Sequence, residues 1–162
     1  SDVYKRQQQN VFLFNSSILD NITMFRNFPE EKTALAVRRA GLESLLAARG
    51  ADTPCGENGS SLSGGERQRI SIARCLLQST PVLLADEATA SLDSATAFEI
   101  TSSILSLEGI TRILVTHRLE ESLLRRFDEI LVLKDGRLTE HGSFDSLMEN
   151  KAYFYSLFTI SQ

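Results

Sequence analysis

The sequence predicts an α/β fold: a mostly parallel sheet flanked by helices in the second half, preceded by a mostly helical first half. Three observations carry this. Val82-Leu-Leu-Ala85 is a continuous apolar run of the kind buried on both faces of a parallel sheet, and it ends in Asp86-Glu87. Residues 111–116 form a second strand, with His117 just past its end. Residues 93–107, between the two strands, carry helical spacing, and Gly109 ends it.

Taken in order, Val11-Phe-Leu-Phe14 is a short apolar run, followed after Asn15-Ser-Ser17 by a second patch at residues 18–25. Pro29 with Glu30 and Glu31 reads as a helix start, proline tolerated in the first turn and acids facing the positive end of the dipole. That helix continues through Val37 and Arg38 and stops at Gly41; residues 42–48 form a second, short one. Residues 50–61 hold three glycines and Pro54 and form a loop. Ser63 opens a long helix with Ile70, Ala73 and Leu76 or Leu77 at helical spacing, stopped by Thr80-Pro81. After the second strand, a short helix spans residues 119–126. Residues 129–133, the turn Lys134-Asp-Gly136 and residues 137–140 form a hairpin-like pair. Gly142-Ser143 begins one final amphipathic helix ending near Phe158.

Composition narrows the function classes. The chain has 162 residues, room for one ordinary domain. With 42% hydrophobic and 23% charged residues it has the makeup of a soluble globular protein and not of a disordered one. Seventeen Lys plus Arg against 21 Asp plus Glu give a net charge of −4, which argues against a nucleic-acid partner held by bulk electrostatics. No stretch approaches the roughly 18 apolar residues of a membrane span. Cys55 and Cys75 form no CxxC pair and no histidine cluster accompanies them, so they read as reduced thiols and not as a zinc site. A cytoplasmic setting follows.

The N-terminus stands apart. No apolar core follows Lys5 and Arg6, so this is not a signal peptide. Asp2-Val-Tyr-Lys-Arg-Gln7 is similar to a read-through translation of a transposon adaptor used in sequencing libraries; the alternative is a genuine charged strand or loop. Residues 1–7 are accordingly set aside as non-native, and the native chain is expected to continue upstream.

Two stretches carry chemistry. In Leu62-Ser-Gly-Gly-Glu66, a capping box accounts for Ser63 and Glu66. It does not account for Gly64 and Gly65, each costing about 1 kcal/mol in a helix relative to alanine. Two glycines there suit something that approaches the backbone closely, and a helix N-terminus suits an anion such as phosphate. Asp86-Glu87 closes an apolar strand; successive side chains point to opposite faces, so Asp86 is placed to face Mg²⁺ while Glu87 faces a water. Such a pair also serves simply to cap the next helix. His117 lies at the end of the next strand, and ligands of open parallel sheets bind outside the carboxyl ends of strands.

In this order the residues resemble the ATP-binding cassette of ABC transporters, from Gln9 onward. Gln9-Asn-Val-Phe-Leu-Phe14 resembles the Q-loop, Leu62-Ser-Gly-Gly-Glu66 the signature motif, and Val82 through Glu87 the Walker B strand with its glutamate. Ala90-Ser-Leu-Asp93 resembles the D-loop and Thr116-His-Arg118 the H-loop. Thr53-Pro-Cys-Gly-Glu-Asn-Gly59 resembles the TxVGExG loop typical of exporters. Glu66 replaces the commoner glutamine, Ala90-Ser91 inverts the usual order, and Cys55 stands where valine is usual. No G-x-x-x-x-G-K-[ST] occurs; in this family the P-loop, its lysine and the adenine-stacking aromatic all precede the Q-loop. The resemblance therefore implies the later two-thirds of a nucleotide-binding domain, part of a P-loop ATPase core: a Q-loop region (8–17), a helical subdomain with the signature (18–80) and the C-terminal part of the core (81–162).

The resemblance implies roles as well. Asp86 would hold Mg²⁺, Glu87 would activate the attacking water, and His117 would contact the γ-phosphate. Gln9 would sense Mg²⁺ and water and link the site to a transmembrane partner. Ser63, Gly64 and Gly65, with Glu66 in the same motif, would bind the γ-phosphate of ATP held by an opposite subunit, with Asp93 at the seam of a head-to-tail dimer. The exposed part of the patch from Phe12 to Phe25 would receive a coupling helix. The implied activity is ATP hydrolysis driving export, with a membrane domain fused upstream, at the cytoplasmic face of the cell membrane; this chain alone is expected to be inactive. The chromosome-maintenance and DNA-repair ATPases share the signature and the acidic pair, but they would show coiled-coil heptads before the signature, and residues 45–61 have none.

Overall fold

A computed structural model describes residues 4–7 (backbone), 11–78, 81–90 and 92–161, and its contacts divide into two compact units, Ser1–Thr116 and His117–Gln162. The first holds a parallel sheet ordered β1 (Tyr4–Gln7), β2 (Val82–Asp86), β3 (Thr111–Val115), so β2 is central. Its registers pair Tyr4 with Val82 and Asp86 with Val115. β1 comes from the segment set aside on sequence grounds and pairs with β2 along its whole length. Helices α1 (Ile18–Thr23), α2 (Glu30–Arg39) and α3 (Glu43–Arg49) precede a single 3₁₀ turn at Glu57–Gly59, then α4 (Gly64–Leu77); α5 (Ser94–Leu105) links β2 to β3. Of these, α2, α3, α4, α5, β2 and β3 match the expected elements to within a few residues, whereas α1 forms within what the sequence marks only as an apolar patch.

α4 organises this unit. It packs against α1, α2 and α5. Its Ile70, Ile72, Ala73 and Leu77 are buried with Leu13, Ile18, Ile22, Leu83, Ala85, Ile100 and Ile104 in one core. That core draws residues from both sides of positions 80 and 81, and the compact unit runs to Thr116.

The second unit contains α6 (Glu121–Leu124), the hairpin β4 (Ile130–Lys134) and β5 (Arg137–Gly142), α7 (Phe144–Asn150) and α8 (Tyr153–Ser161). The hairpin turns on Asp135 and Gly136, both at positive φ (51° and 74°), the two-residue geometry that Asp-Gly favours. Phe144, Leu147, Phe154 and Phe158 form the core with Leu124 and Val132. Here one expectation is corrected: the final helix is two. Lys151, at φ 51°, closes α7 in the left-handed conformation, and the chain restarts at Tyr153, which lets Phe144 meet Phe158 edge-on at 5.2 Å. Among the described residues no helix is long and apolar enough to cross a membrane.

Candidate functional site

Asp86 ends the central strand, its backbone paired with Val115 of β3. Glu87 then leaves the sheet at φ 46°, a conformation costing a non-glycine residue about 1–2 kcal/mol. Its amide donates to the Val115 carbonyl at 2.9 Å, and its carbonyl accepts from Ala90 at 3.0 Å. The turn is thus anchored at both ends, and a strained backbone held this firmly is characteristic of functional positions. Both carboxylate residues are half-buried. The chain continues through the Leu92 amide on the Thr89 carbonyl (3.2 Å) to Asp93, which caps α5 by accepting the Thr96 amide at 3.0 Å. That amide, and then the Thr96 hydroxyl, hold the Asp93 carboxyl below the usual carboxylate range.

The start of α4 packs beside this turn. Ser63 caps the helix, accepting the Glu66 amide at 3.2 Å, while the Ser63 amide donates to Glu66 Oε2 at 2.7 Å. The expected capping box is complete. The glycines have a partner that sequence reasoning did not identify: a Cβ at Gly64 would come within 2.7 Å of Leu92, and one at Gly65 within 2.6 Å of Thr96. The close approach at these positions is made by this chain's own D-loop-like segment and α5, so Ser63, Gly64, Gly65, Glu66 and Asp93 are brought into one neighbourhood.

The loop before α4 is fixed by its own bonds. Ser61 Oγ donates to the Cys55 carbonyl at 2.6 Å. Arg49 donates to the Ser61 carbonyl at 2.7 Å, and Arg67 to that of Leu62 at 2.9 Å. His117 is exposed and opens the second unit. Gln9 lies outside the described residues.

Among the described residues no group of three or more His, Cys, Asp or Glu side chains is arranged to hold a metal. The donor set that exists, the carboxylate of Asp86 at a strand end, suits a hard cation that takes most of its ligands from water and phosphate, as Mg²⁺ does.

A network missed in the sequence joins the segment after Gln9 to α4. Asn21 is fully buried; its Oδ1 accepts the Phe14 amide (2.9 Å) and Arg74 Nη2 (2.7 Å), and its Nδ2 donates to the carbonyls of Phe14 and Ser17, both at 3.0 Å. Arg74 also donates to the carbonyls of Asn21 (2.5 Å) and Phe12 (2.7 Å). Burial lowers the Arg74 pKa from its usual range and raises that of Cys55. Phe12 and Phe25 are exposed and each packs edge-on to Phe14, at 5.1 and 5.2 Å between ring centres.

Comparison with known proteins places these features in a family. The ABC transporter family model matches residues 2–90. The chain is 40% identical over 157 residues to the ATP-dependent lipid A-core flippase of Neisseria meningitidis serogroup A, an alignment covering 94% of this chain and 25% of that protein. It is 42% identical over 146 residues to the Mycobactin import ATP-binding/permease protein IrtB of Mycobacterium bovis, covering 86% of this chain and 24% of that one. The structure of a bacterial Atm1-family ABC exporter with ATP bound superposes with a TM-score of 0.84 at 35% identity, covering 98% of this chain and 28% of that one. The chain spans about a quarter of the length of the curated relatives it matches.

Proposed function

The chain belongs to the ABC transporter family, and from that premise we propose that it is part of the ATP-hydrolysing domain of an exporter, acting at the cytoplasmic face of the membrane. The observation that carries the reading is the anchored turn at the end of β2, where Asp86 closes the central strand and Glu87 is held at positive φ against β3. Mg²⁺, brought with the nucleotide, supplies charge neutralisation at the phosphates. Asp86 would ligate it. Glu87 accepts the proton of the attacking water, and His117 contacts the γ-phosphate. Gln9 serves both metal and water and links the site to the transmembrane part fused upstream. Ser63, Gly64 and Gly65 face the nucleotide of a second such domain, identical or different, in a head-to-tail dimer, with Asp93 at the seam. Phe12 and Phe25 offer an apolar face to the coupling segment of the membrane domain. The isolated chain, lacking a P-loop, is inactive.

The flippase and the Atm1-family exporter support export, whereas the IrtB relative is named for import; the transporter names of all three disfavour the chromosome-maintenance reading. In the intact protein, Glu87→Gln keeps size and hydrogen bonding but removes the base, so hydrolysis should fall at least about 10²-fold. ATP should still bind and the ATP-bound dimer should persist, because its exit is hydrolysis. Ser63→Arg places bulk where phosphate must approach and should leave a monomer. Size-exclusion chromatography with ATP and Mg²⁺ separates the two outcomes. Equal hydrolysis by wild type and Glu87→Gln removes Glu87 from its role, and a dimeric Ser63→Arg removes the turn from the shared site.

A further inference from the structure

Glu66 is the feature of the signature turn that the proposed function leaves unexplained. A carboxylate in the first turn of α4 favours the helix dipole and completes the capping box. On the reading above, a phosphate docking at this turn would meet a like charge. Its Oε2 is taken by the Ser63 amide at 2.7 Å, and its Oε1 faces Arg49 Nη2 at 3.9 Å. The other terminal nitrogen of Arg49 is bonded to the Ser61 carbonyl at 2.7 Å, which holds the guanidinium beside the turn. Arg67 is anchored in the same manner, its Nη1 on the carbonyls of Leu62 (2.9 Å) and Gly59 (3.4 Å) and its Nη2 3.9 Å from where a Gly64 Cβ would stand. Two guanidiniums tied to the backbone of residues 59–62 therefore bracket a turn that carries one carboxylate.

We infer that Arg49 is a positioning residue for nucleotide, compensating the charge of Glu66 so that the turn stays receptive to a polyphosphate; this rests on the reading above that a γ-phosphate docks at Ser63, Gly64 and Gly65. Where residue 66 is a neutral glutamine the compensation is unnecessary, and where it is glutamate the turn needs a cation fixed nearby. Glu66 and Arg49 are 27% and 41% exposed, so the coupling is screened by solvent and modest, and it weakens with salt.

The test measures ATP hydrolysis against Mg-ATP concentration in the intact transporter for wild type, Arg49→Gln, Glu66→Gln and the double variant. Arg49→Gln should raise KM about 2- to 5-fold at low ionic strength, the range of an exposed charge pair. The increase should shrink at high ionic strength, and in the Glu66→Gln background Arg49→Gln should leave KM where Glu66→Gln alone sets it. If Arg49 served only to hold the Ser61 carbonyl, the defect would persist in the double variant and ignore salt, and that result overturns the inference. Ser63→Arg run alongside tests the premise. If it still forms the ATP-dependent dimer, the reading of the turn fails; if it blocks the dimer while Glu66→Gln fails to rescue Arg49→Gln, only the role of Arg49 falls.

Discussion

Asn21 has no exposed surface, and both polar atoms of its side chain are bonded, to Phe14, Ser17 and Arg74. The energetic weight of such a residue lies in what its removal strands: the Phe14 amide and carbonyl and one arm of a largely buried guanidinium. A buried donor or acceptor left without a partner costs about 1–3 kcal/mol, more when charged. Asn21→Ala should therefore destabilise the domain by about 3 kcal/mol, measured by urea unfolding. Asn21→Leu, which fills the same space, should do no better; a leucine variant close to wild type would show that packing matters here and the bonds do not. None of this was legible in the sequence. Asn21 lies in an apolar patch and looks like an incidental polar residue, and its partner Arg74 is 53 positions away. Glu87 was legible as a candidate because an acidic pair closing an apolar strand is a pattern in residue types, whereas its positive φ is visible only in the folded backbone.

At the level of elements, local chemistry was readable wherever one residue type decides the outcome. Ser63 with Glu66, Gly41 after α2, and Asp-Gly in the hairpin each mark a boundary that the structure keeps. Lys151 did not, because a lysine in the left-handed conformation carries no compositional mark and the α7–α8 break depends on packing between Phe144 and Phe158. The run Val11-Phe-Leu-Phe14 takes no regular structure for a related reason: Asn21 and Arg74 hold the backbone groups that a strand ladder would use. Asp93, the cap of α5, gives this scale its prediction. Bonds from Thr96 hold its folded pKa below the 3.8 of the free side chain, so it stabilises the fold above that value and the contribution is lost as pH falls through the folded pKa. Asp20 shifts in the same direction through the hydroxyls of Ser16 and then Ser17, and adds to the acid limb. Asp93→Asn keeps an oxygen that accepts from Thr96 but does not titrate, so thermal unfolding followed from about pH 5 to pH 2 should show a shallower acid decline than wild type. An unchanged acid limb would mean that Asp93 caps the helix without its charge.

For the whole molecule, family motifs in order made the architecture legible, but the sheet register and the course of β1 were not, since parallel partners lie far apart in sequence and no local pattern encodes their alignment. In the described sheet β3 is an edge strand, with Ile113 and Val115 49% and 48% exposed, and the hairpin exposes Leu131, Leu133 and Leu138. Unpaired edges and exposed apolar side chains favour association. The purified 162-residue chain should therefore associate with rising concentration, seen by light scattering, and should show negligible ATP turnover because the sequence holds no P-loop to cradle the phosphates. These two properties have different causes, and one substitution separates them. Ile113→Lys puts a charge on the exposed edge and should reduce association, yet it supplies no phosphate contacts, so turnover should stay negligible. Turnover that appears in the monodisperse Ile113→Lys chain and vanishes when Glu87→Gln is added would show that association alone had masked an active site complete without the P-loop.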